Sequence, residues 1–337
     1  MRNIEALKQM LGTAKNIVII PHYKPDADAL GSCLGLAGML GKKGHTVKVI
    51  SPTDYPDFLF WMKGHDQVQV YKEEFREEIR ESITKADIVF CLDFSALNRI
   101  GALGEFVAEA EGVKIVVDHH LDPEEFADHM IWDTKAAATA ELLYQLAAEL
   151  GDIDLIDPDI ADCLYAGIMT DTGSFKHSNT TKNTLLVAAE LIGLGADNAK
   201  VGSLIYDNNS LDRLKLTGFA LSQKLVVHRE HRTAFFTLSS NELRRFNAKT
   251  GDTEGLVNYA LSIKDIVFSA LITEREDGVK LSLRSKGKFP VNVFAKNHFN
   301  GGGHRNASGG RIDMPLAEAV KYFENLLPKY AEELKNA

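Results

Sequence analysis

The alternation of short apolar segments with longer helical segments in the first half of the chain constrains the fold most. The apolar segments are rich in Val and Ile, which is typical of strands that are buried on both faces. They cover residues 16–21, 47–50, 88–92 and 113–117. Helices are predicted between them, for example at 29–43 and 73–84. Strands and helices that alternate at this spacing predict an α/β domain with a parallel, helix-covered sheet.

Ionisable residues follow most of these strands. In a parallel sheet, ligands bind beyond the carboxyl ends of the strands, where the connecting loops converge. An acid and two imidazoles directly after an apolar strand are not core filling, because burying unpaired polar groups costs several kcal/mol. We therefore expect a functional site at this edge of the sheet, formed by His22, Asp26 and Asp28, then Asp93, then Asp118, His119 and His120.

The acids of this predicted site indicate bound divalent metal ions. The acids expected to meet there are Asp26, Asp28, Asp93, Asp118 and Asp171. Carboxylates that lie this close repel one another unless some hold protons or a cation lies among them. With the imidazoles of His22 and His119 beside them, a divalent metal is the better explanation, and the donors suffice for two ions. Mn²⁺ suits such a site, with Mg²⁺, Co²⁺ and Fe²⁺ as competitors.

Each of these residues also has a structural explanation when it is taken alone. Asp28 stands where a helix cap is expected, Asp93 could be an ordinary loop acid, and Asp171 could merely end a helix. The metal site is favoured because the residues occur together, at successive strand ends and beside a pair of histidines.

The second half of the chain predicts a smaller α/β domain. Strands are expected at 225–228, 233–238, 266–273 and 279–283, with a helix at 291–297 and an amphipathic helix near the end. We place the first domain at residues 1–197, a linker at 198–214 and the second domain at 215–337. The active site is expected in the cleft between the two domains.

A glycine-rich loop in the second domain predicts substrate binding. Glycine lets the backbone approach a ligand closely, and backbone amides in such turns bind anions. Basic residues surround the loop, and an arginine can bind a phosphate with two parallel hydrogen bonds. Taken alone, the glycines could also form a flexible turn. The predicted substrate-binding residues are Arg284, Lys286, Gly301, Gly302, Gly303, His304 and Arg305.

Composition limits the partners and the compartment. A net charge of −9 argues against a protein that coats long duplex nucleic acid through a broad basic face. The three cysteines are scattered, which favours buried thiols in a reducing compartment over disulfides. The first residues do not resemble a signal peptide, and no apolar run is long enough to cross a bilayer. We therefore expect a soluble cytoplasmic protein without a membrane partner.

Taken together, these motifs resemble those of the DHH phosphoesterase family. The resemblance rests on His22-Tyr-Lys-Pro-Asp26-Ala-Asp28 with Gly31-Ser32, on Asp93, on Asp118-His119-His120 and on Asp171-Thr-Gly173. In addition, the segment Gly301-Gly-Gly-His304, with Ala307 and Gly309, is similar to the signature of the DHH-associated C-terminal domain. The resemblance covers nearly the whole chain, and the short two-domain layout looks like the subgroup of nanoRNase/pAp phosphatases and related phosphodiesterases.

The resemblance implies a role for each residue of the motifs. His22, Asp26 and Asp93 would hold one metal ion, and Asp28, Asp93, His119 and Asp171 the other, so that Asp93 bridges the two. The imidazole of His120 would face the substrate phosphate, and Asp118 would orient an imidazole.

The implied activity is hydrolysis of very short nucleotides by a metal-activated water. Short oligonucleotides, linear dinucleotides such as pApA, and pAp would be cleaved to mononucleotides by a protein that could form a homodimer. A cyclic dinucleotide phosphodiesterase is the main alternative. An inorganic pyrophosphatase is disfavoured because the basic segment 284–288 is sparse, and a non-catalytic nucleotide sensor because every expected ligand position is filled.

Overall fold

The computed structural model describes residues 4–276 and 278–337 and divides into two compact units, Met1–Asn208 and Asn209–Ala337. The first unit contains a six-stranded sheet in which every neighbouring pair is parallel, in the order β3-β2-β1-β4-β5-β6. The strands are β1 Asn16–Pro21, β2 Thr46–Ser51, β3 Gln69–Val70, β4 Ile88–Leu92, β5 Val113–Asp118 and β6 His129–Trp132. The predicted parallel sheet is thereby confirmed, although the sequence pattern gave no sign of the short edge strands β3 and β6.

Helices cover both faces of this sheet because successive strand residues point to opposite sides. Ile17 and Ile19 pack in a core with α1, α2, α5 and α6, whereas Val18 and Ile20 pack in a second core with α3 and α4. The helices are α1 Ile4–Met10, α2 Ala27–Lys42, α3 Arg76–Thr84, α4 Leu103–Glu109, α5 Thr139–Leu150, α6 Pro158–Asp171, α7 Lys182–Gly193 and α8 Asn198–Tyr206.

Glycines allow helices α2 and α6 to pack unusually closely. A Cβ atom on Gly31 would lie 2.3 Å from the carbonyl oxygen of Cys163, and one on Gly167 would lie 2.5 Å from Asp28 Oδ1. Any side chain at these positions would force the helices apart. The close packing brings the N-terminus of α2, which carries Asp28, to the C-terminal part of α6, which ends at Asp171.

The boundary between the two units falls inside the predicted linker at 198–214. Helix α8 occupies most of the first part of that segment, and its Val201 and Ile205 are buried in the core of the first domain. The next helix starts at Leu211, and the division itself lies between Asn208 and Asn209. The sequence pattern did not show this because α8 has only nine residues, too few for a clear apolar periodicity.

The second unit is built on a mixed six-stranded sheet in the order β11-β12-β10-β9-β8-β7. Strands β8 and β9 are parallel and the other neighbours are antiparallel. The strands are β7 Leu225–His228, β8 Thr233–Leu238, β9 Phe268–Arg275, β10 Gly278–Ser285, β11 Gly302–His304 and β12 Ala307–Ile312. The helices are α9 Leu211–Phe219, α10 Ser240–Arg245, α11 Leu256–Leu261, α12 Val291–His298, α13 Leu316–Leu326 and α14 Ala331–Lys335. The predicted second α/β domain is confirmed.

The sequence-based interpretation of the glycine-rich segment as a loop is wrong. Residues 302–304 and 307–312 form the antiparallel pair β11 and β12 at the edge of the second sheet. Glycine is unfavourable in strands, which is why the pattern suggested a loop. A Cβ atom on Gly301 would lie 2.1 Å from the carbonyl oxygen of Gly309, so a close backbone approach requires glycine there.

Among the described residues, no helix has both the length and the apolar character that crossing a membrane requires.

Candidate metal centre

Three neighbouring strands of the first sheet place the predicted site residues at one edge. Strands β1, β4 and β5 lie side by side, and all run in the same direction. His22 follows β1, Asp93 follows β4, and Asp118 ends β5. Their side chains therefore meet where the carboxyl ends of the strands point, as the alternation of strands and helices predicts.

One group of ligand atoms is formed by His22, Asp26 and Asp93. Their donor atoms all lie within 4.8 Å of one another. His22 Nε2 is 3.3 Å from Asp93 Oδ2 and 3.8 Å from Asp26 Oδ2. His22 Nδ1 lies 3.0 Å from the carbonyl oxygen of Tyr23. Because a carbonyl only accepts, Nδ1 carries a hydrogen, which leaves Nε2 as the ring atom that can bind a metal ion.

The second group consists of Asp28, His119 and Asp171, again with donor atoms within 4.8 Å. His119 Nε2 lies 3.4 Å from Asp171 Oδ2 and 3.8 Å from Asp28 Oδ2. On its other side, His119 Nδ1 lies 3.2 Å from the carbonyl oxygen of Ala136, so Nε2 is again the ring atom that can bind a metal ion.

Asp93 lies between the two groups. Its Oδ2 faces His22, and its Oδ1 lies 3.3 Å from His119 Nε2. Its backbone has φ 65°, in the left-handed region that Asp and Asn tolerate better than other side chains. The two groups together supply carboxylate oxygens and two imidazole lone pairs, a donor set that fits divalent metal ions.

Burial and mutual repulsion shift the pKa values of these groups strongly in the metal-free chain. Burial, with the charges of Asp93 and Asp171, raises the pKa of Asp28 well above its usual range. Burial also acts to raise the pKa of Asp93, but its hydrogen bonds with His119 and His22 outweigh this effect and hold the pKa well below its usual range. Burial lowers the pKa of both histidines, and their carboxylate neighbours more than reverse the effect. Protons thus hold this acidic cluster together, and a bound divalent cation would displace them.

His120 has a different environment from His119. Its Nδ1 is 2.8 Å from Asp118 Oδ1, and the Asp118 carboxylate is fully buried. Burial acts to raise the pKa of Asp118, but the hydrogen bond with His120 lowers it further than burial raises it. Asp118 therefore stays ionised and orients the His120 ring. The indole of Trp132 donates to the His120 carbonyl at 2.6 Å.

Comparison with known proteins agrees with this geometry. The domain model described as "DHH family, N-terminal domain" matches residues 16–168, and the model for the DHHA1 domain matches residues 233–333. A curated protein of Thermus thermophilus, "Bifunctional oligoribonuclease and PAP phosphatase NrnA", is 31% identical over 99% of this chain and 94% of its own length. The chain belongs to the DHH phosphoesterase family. The predicted resemblance is confirmed, and with it the prediction of a metal-dependent phosphoesterase.

Other relatives show how far the similarity extends. The Bacillus subtilis protein of the same name is 28% identical over 88% of this chain and 89% of its own length. The cyclic-di-AMP phosphodiesterase GdpP of Geobacillus thermodenitrificans is 27% identical over 97% of this chain, which spans only 49% of that relative. Among solved structures, an exopolyphosphatase-related protein from Bacteroides fragilis superposes with a TM-score of 0.93 at 40% identity, covering 98% of this chain and 97% of that one.

Sequence reasoning missed the contribution of helix α5 to this DHH site. The backbone amides of Thr139 and Ala140 donate to Asp28, and the Thr139 hydroxyl donates to Asp93. These residues follow a run of alanines and carry no metal-binding side chain, so no motif singles them out. The local signal is a threonine at the start of a helix, which predicts a cap rather than a contact with an acid more than 100 residues away.

The DHHA1 domain places several predicted substrate-binding residues on neighbouring strands. Ala307 on β12 is paired with His304 on β11 and with Arg284 on β10. Because paired residues point to the same face, Arg284 and His304 lie on one face, two strands apart, on either side of the small Ala307 side chain. Two strand spacings amount to roughly 10 Å.

The remaining predicted substrate-binding residues are less constrained. Lys286 and Arg305 are exposed, and Arg305 Nη2 donates to the carbonyl oxygen of Lys288 at 3.1 Å. Gly302 and Gly303 belong to β11, and Gly303 has a positive φ of 134°. The roles of these residues stay predictions.

Proposed function

We propose that this DHH protein hydrolyses short oligonucleotides and pAp to mononucleotides, with two divalent metal ions and Mn²⁺ preferred. The observation that supports it most is the arrangement of two ligand groups that adjoin at Asp93. The names of the full-length relatives from Thermus thermophilus and Bacillus subtilis, oligoribonuclease and PAP phosphatase, support the substrate class. Three buried free cysteines support a reducing, cytoplasmic site of action.

The proposed ligands follow from the two groups. His22, Asp26 and Asp93 would hold one ion, and Asp28, His119 and Asp171 would hold the other together with Asp93 Oδ1. When bound, such ions acidify a water molecule and neutralise the oxygens of a phosphate. The protein itself holds the lone pairs of both imidazoles toward these ions through the carbonyls of Tyr23 and Ala136.

His120 is the proposed residue that contacts the substrate phosphate. Because Asp118 accepts from Nδ1, any proton that His120 donates to the leaving oxygen has to come from Nε2. The ionised Asp118 fixes the orientation of the imidazole. Together they supply a positioned hydrogen-bond donor for a phosphate.

The proposed anchor for the far end of the substrate lies in the second domain. It consists of Arg284, Lys286, Gly301, Gly302, Gly303, His304 and Arg305. An anchor of this limited size suits a nucleotide or a few linked nucleotides. The net charge of −9 gives no extended basic surface for a long strand.

The decisive experiment compares wild type with Asp93→Asn. Both proteins are incubated with Mn²⁺ and a panel of pAp, pApA, cyclic di-AMP and oligonucleotides of increasing length, and the products are separated by chromatography. The variant should lose activity by at least about a thousandfold, since it removes a carboxylate that both ligand groups share. Substitution of the exposed Asp313 by Asn serves as the matched control.

Mn²⁺-dependent turnover that survives in Asp93→Asn would overturn the assignment. A wild type that cleaves cyclic di-AMP faster than pAp or dinucleotides would favour the phosphodiesterase alternative, which the similarity to GdpP supports. We also retain the prediction of a homodimer, which light scattering of the purified chain tests directly.

A further inference from the structure

A short segment that leads into helix α5 and includes its first two residues contacts three of the proposed metal ligands at once. We define it as the 136–140 turn, which comprises the residues from Ala136 to Ala140. It carries no metal-binding side chain of its own. Its contacts are made by backbone groups and by one hydroxyl, so its effect on the site has to be indirect.

The turn binds both oxygens of the Asp28 carboxylate. The amide of Thr139 donates to Oδ2 at 2.6 Å, and that of Ala140 donates to Oδ1 at 2.9 Å. Both amides belong to the first turn of α5, a helix of 12 residues, whose N-terminus favours a negative charge. Asp28 and Thr139 are both completely buried. The carboxylate is therefore fixed in its plane with no solvent to replace these bonds.

The turn also fixes the other two ligands. The hydroxyl of Thr139 donates to Asp93 Oδ1 at 2.9 Å, which restricts rotation of that carboxylate. The carbonyl of Ala136 accepts from His119 Nδ1 and sets its tautomer. Each of the three ligands is thus oriented by a group from one five-residue segment.

Glu141 holds the turn in place. This buried acid accepts from the amide of Ala137 at 3.0 Å, from the hydroxyl of Thr184 at 2.9 Å and from the side-chain amide of Asn183 at 2.6 Å. Thr184 and Asn183 lie in α7, so Glu141 connects the turn to that helix. A carboxylate buried to this degree is costly unless its oxygens are satisfied, and here both accept hydrogen bonds.

We propose that Thr139 and Glu141 are positioning residues that set the metal affinity of the site. Thr139 acts by orienting Asp93, and Glu141 acts by fixing the 136–140 turn, through which Asp28 and His119 are oriented as well. The inference rests on the proposed function in one respect, namely that these three ligands hold metal ions. It differs from an ordinary helix-capping role, which would affect folding but not the affinity for metal.

The test uses a pair of substitutions at Thr139. Thr139→Val keeps the shape and removes the hydroxyl, whereas Thr139→Ser keeps the hydroxyl. Thr233→Val is the matched control, because Thr233 is equally buried in the other domain and donates to the carbonyl of His231. Mn²⁺ binding to the full chain is measured by titration calorimetry, and the metal-free unfolding temperature and circular dichroism spectrum of each variant are recorded alongside.

Loss of a group that orients a metal ligand typically weakens binding 10- to 100-fold, and we expect this for Thr139→Val. Thr139→Ser should bind Mn²⁺ within about threefold of wild type, as should the control. Glu141→Gln provides an independent variant, since an amide nitrogen replaces one accepting oxygen. It should weaken Mn²⁺ binding about tenfold in a chain that still folds.

The outcomes separate this inference from the proposed function. If wild type binds no Mn²⁺, the proposed function fails. If wild type binds Mn²⁺ and the folded Thr139→Val and Glu141→Gln variants bind it equally well, the positioning role is overturned. It is also overturned if Thr139→Ser is as weak as Thr139→Val, because the hydroxyl is then not the group responsible.

Discussion

The metal centre of the first domain and the glycine-rich edge of the second domain are built in opposite ways. In the first, buried acids and imidazoles fix one another through hydrogen bonds, and Asp28, Asp93 and His119 are all at most 3% exposed. In the second, Lys286 and Arg305 are exposed and lie beside a strand pair made largely of glycine. Under the proposed function, the rigid site carries out the reaction, whereas the exposed groups hold the substrate. We therefore expect substitutions in the first region to change kcat or metal affinity, and those in the second to change KM.

The largest expected effect of a single substitution outside the metal ligands is that of His120→Ala. Loss of a positioned proton donor should lower kcat by about 10²- to 10⁴-fold. Mn²⁺ affinity should stay close to that of wild type, because Nδ1 is engaged by Asp118. Steady-state kinetics with pAp, together with calorimetry, measures both quantities. If His120→Ala raises only KM, the expectation that the first region controls kcat and the second controls KM is wrong.

Gly301→Ala should destabilise the second domain. The added methyl group would lie 2.1 Å from the carbonyl oxygen of Gly309, so one of the two strands has to move. Overpacking of this kind costs roughly 1–3 kcal/mol. Urea unfolding of this variant is compared with that of Gly302→Ala, whose Cβ would meet no atom within 4 Å. Equal stability of the two variants would show that the edge of the sheet is more pliable than its close contacts indicate.

Arg284→Gln should raise KM for pAp by about tenfold, which corresponds to one charge-assisted hydrogen bond, with little change in kcat. Arg284 is half-buried on β10, whereas Lys286 is exposed, so Lys286→Gln should have a smaller effect. Initial-rate measurements over a range of pAp concentrations separate the two parameters. A fall in kcat with an unchanged KM would place Arg284 with the reacting groups instead.

The smallest expected effect concerns Asp157, at the start of α6. Burial acts to raise the pKa of Asp157, but the hydrogen bonds with Lys42 and the Ile160 amide lower it below its usual value. A carboxyl whose pKa is lowered by folding stabilises the fold at any pH above its pKa in the unfolded chain, which is near 3.8. This stabilisation is lost as the pH falls through the pKa of Asp157 in the folded chain.

The matched substitution is Asp157→Asn, which retains a capping side chain and removes the charge. This substitution should lower the free energy of unfolding by about 0.5 kcal/mol at pH 7, which is typical of an exposed ion pair. It should have no effect at a pH at which the wild-type carboxylate is protonated. Urea unfolding at pH 7 and near pH 2.5 measures the difference. A cost that persists in acid would indicate lost packing instead of lost charge.

The sequence predicted which residues meet at the candidate metal centre because that geometry follows from local patterns. Parallel strands β1, β4 and β5 end at one edge of the sheet, so residues directly after them have to meet. Helix bounds were also readable, for instance for α12, which was predicted at 291–297 and spans Val291–His298. None of this required knowledge of contacts between distant residues.

Other features could not be read from the sequence because they depend on backbone groups and long-range contacts. The bonds from Thr139 and Ala140 to Asp28 join residues more than 100 positions apart and involve main-chain amides that every residue has. The strands at 302–304 and 307–312 contain glycines that argue locally against strands, and only their pairing reveals them.

The left-handed backbone of Asp93 limits how this position can change over evolutionary time. Few side chains tolerate φ 65°, so Asp, Asn and Gly are the residues that keep the local backbone unstrained. Asp and Asn codons differ by one base, which makes Asn the nearest permitted replacement. Under the proposed function, a single base change at this position would therefore remove hydrolysis and leave the fold intact. Such a variant would keep a pocket that binds nucleotides without cleaving them.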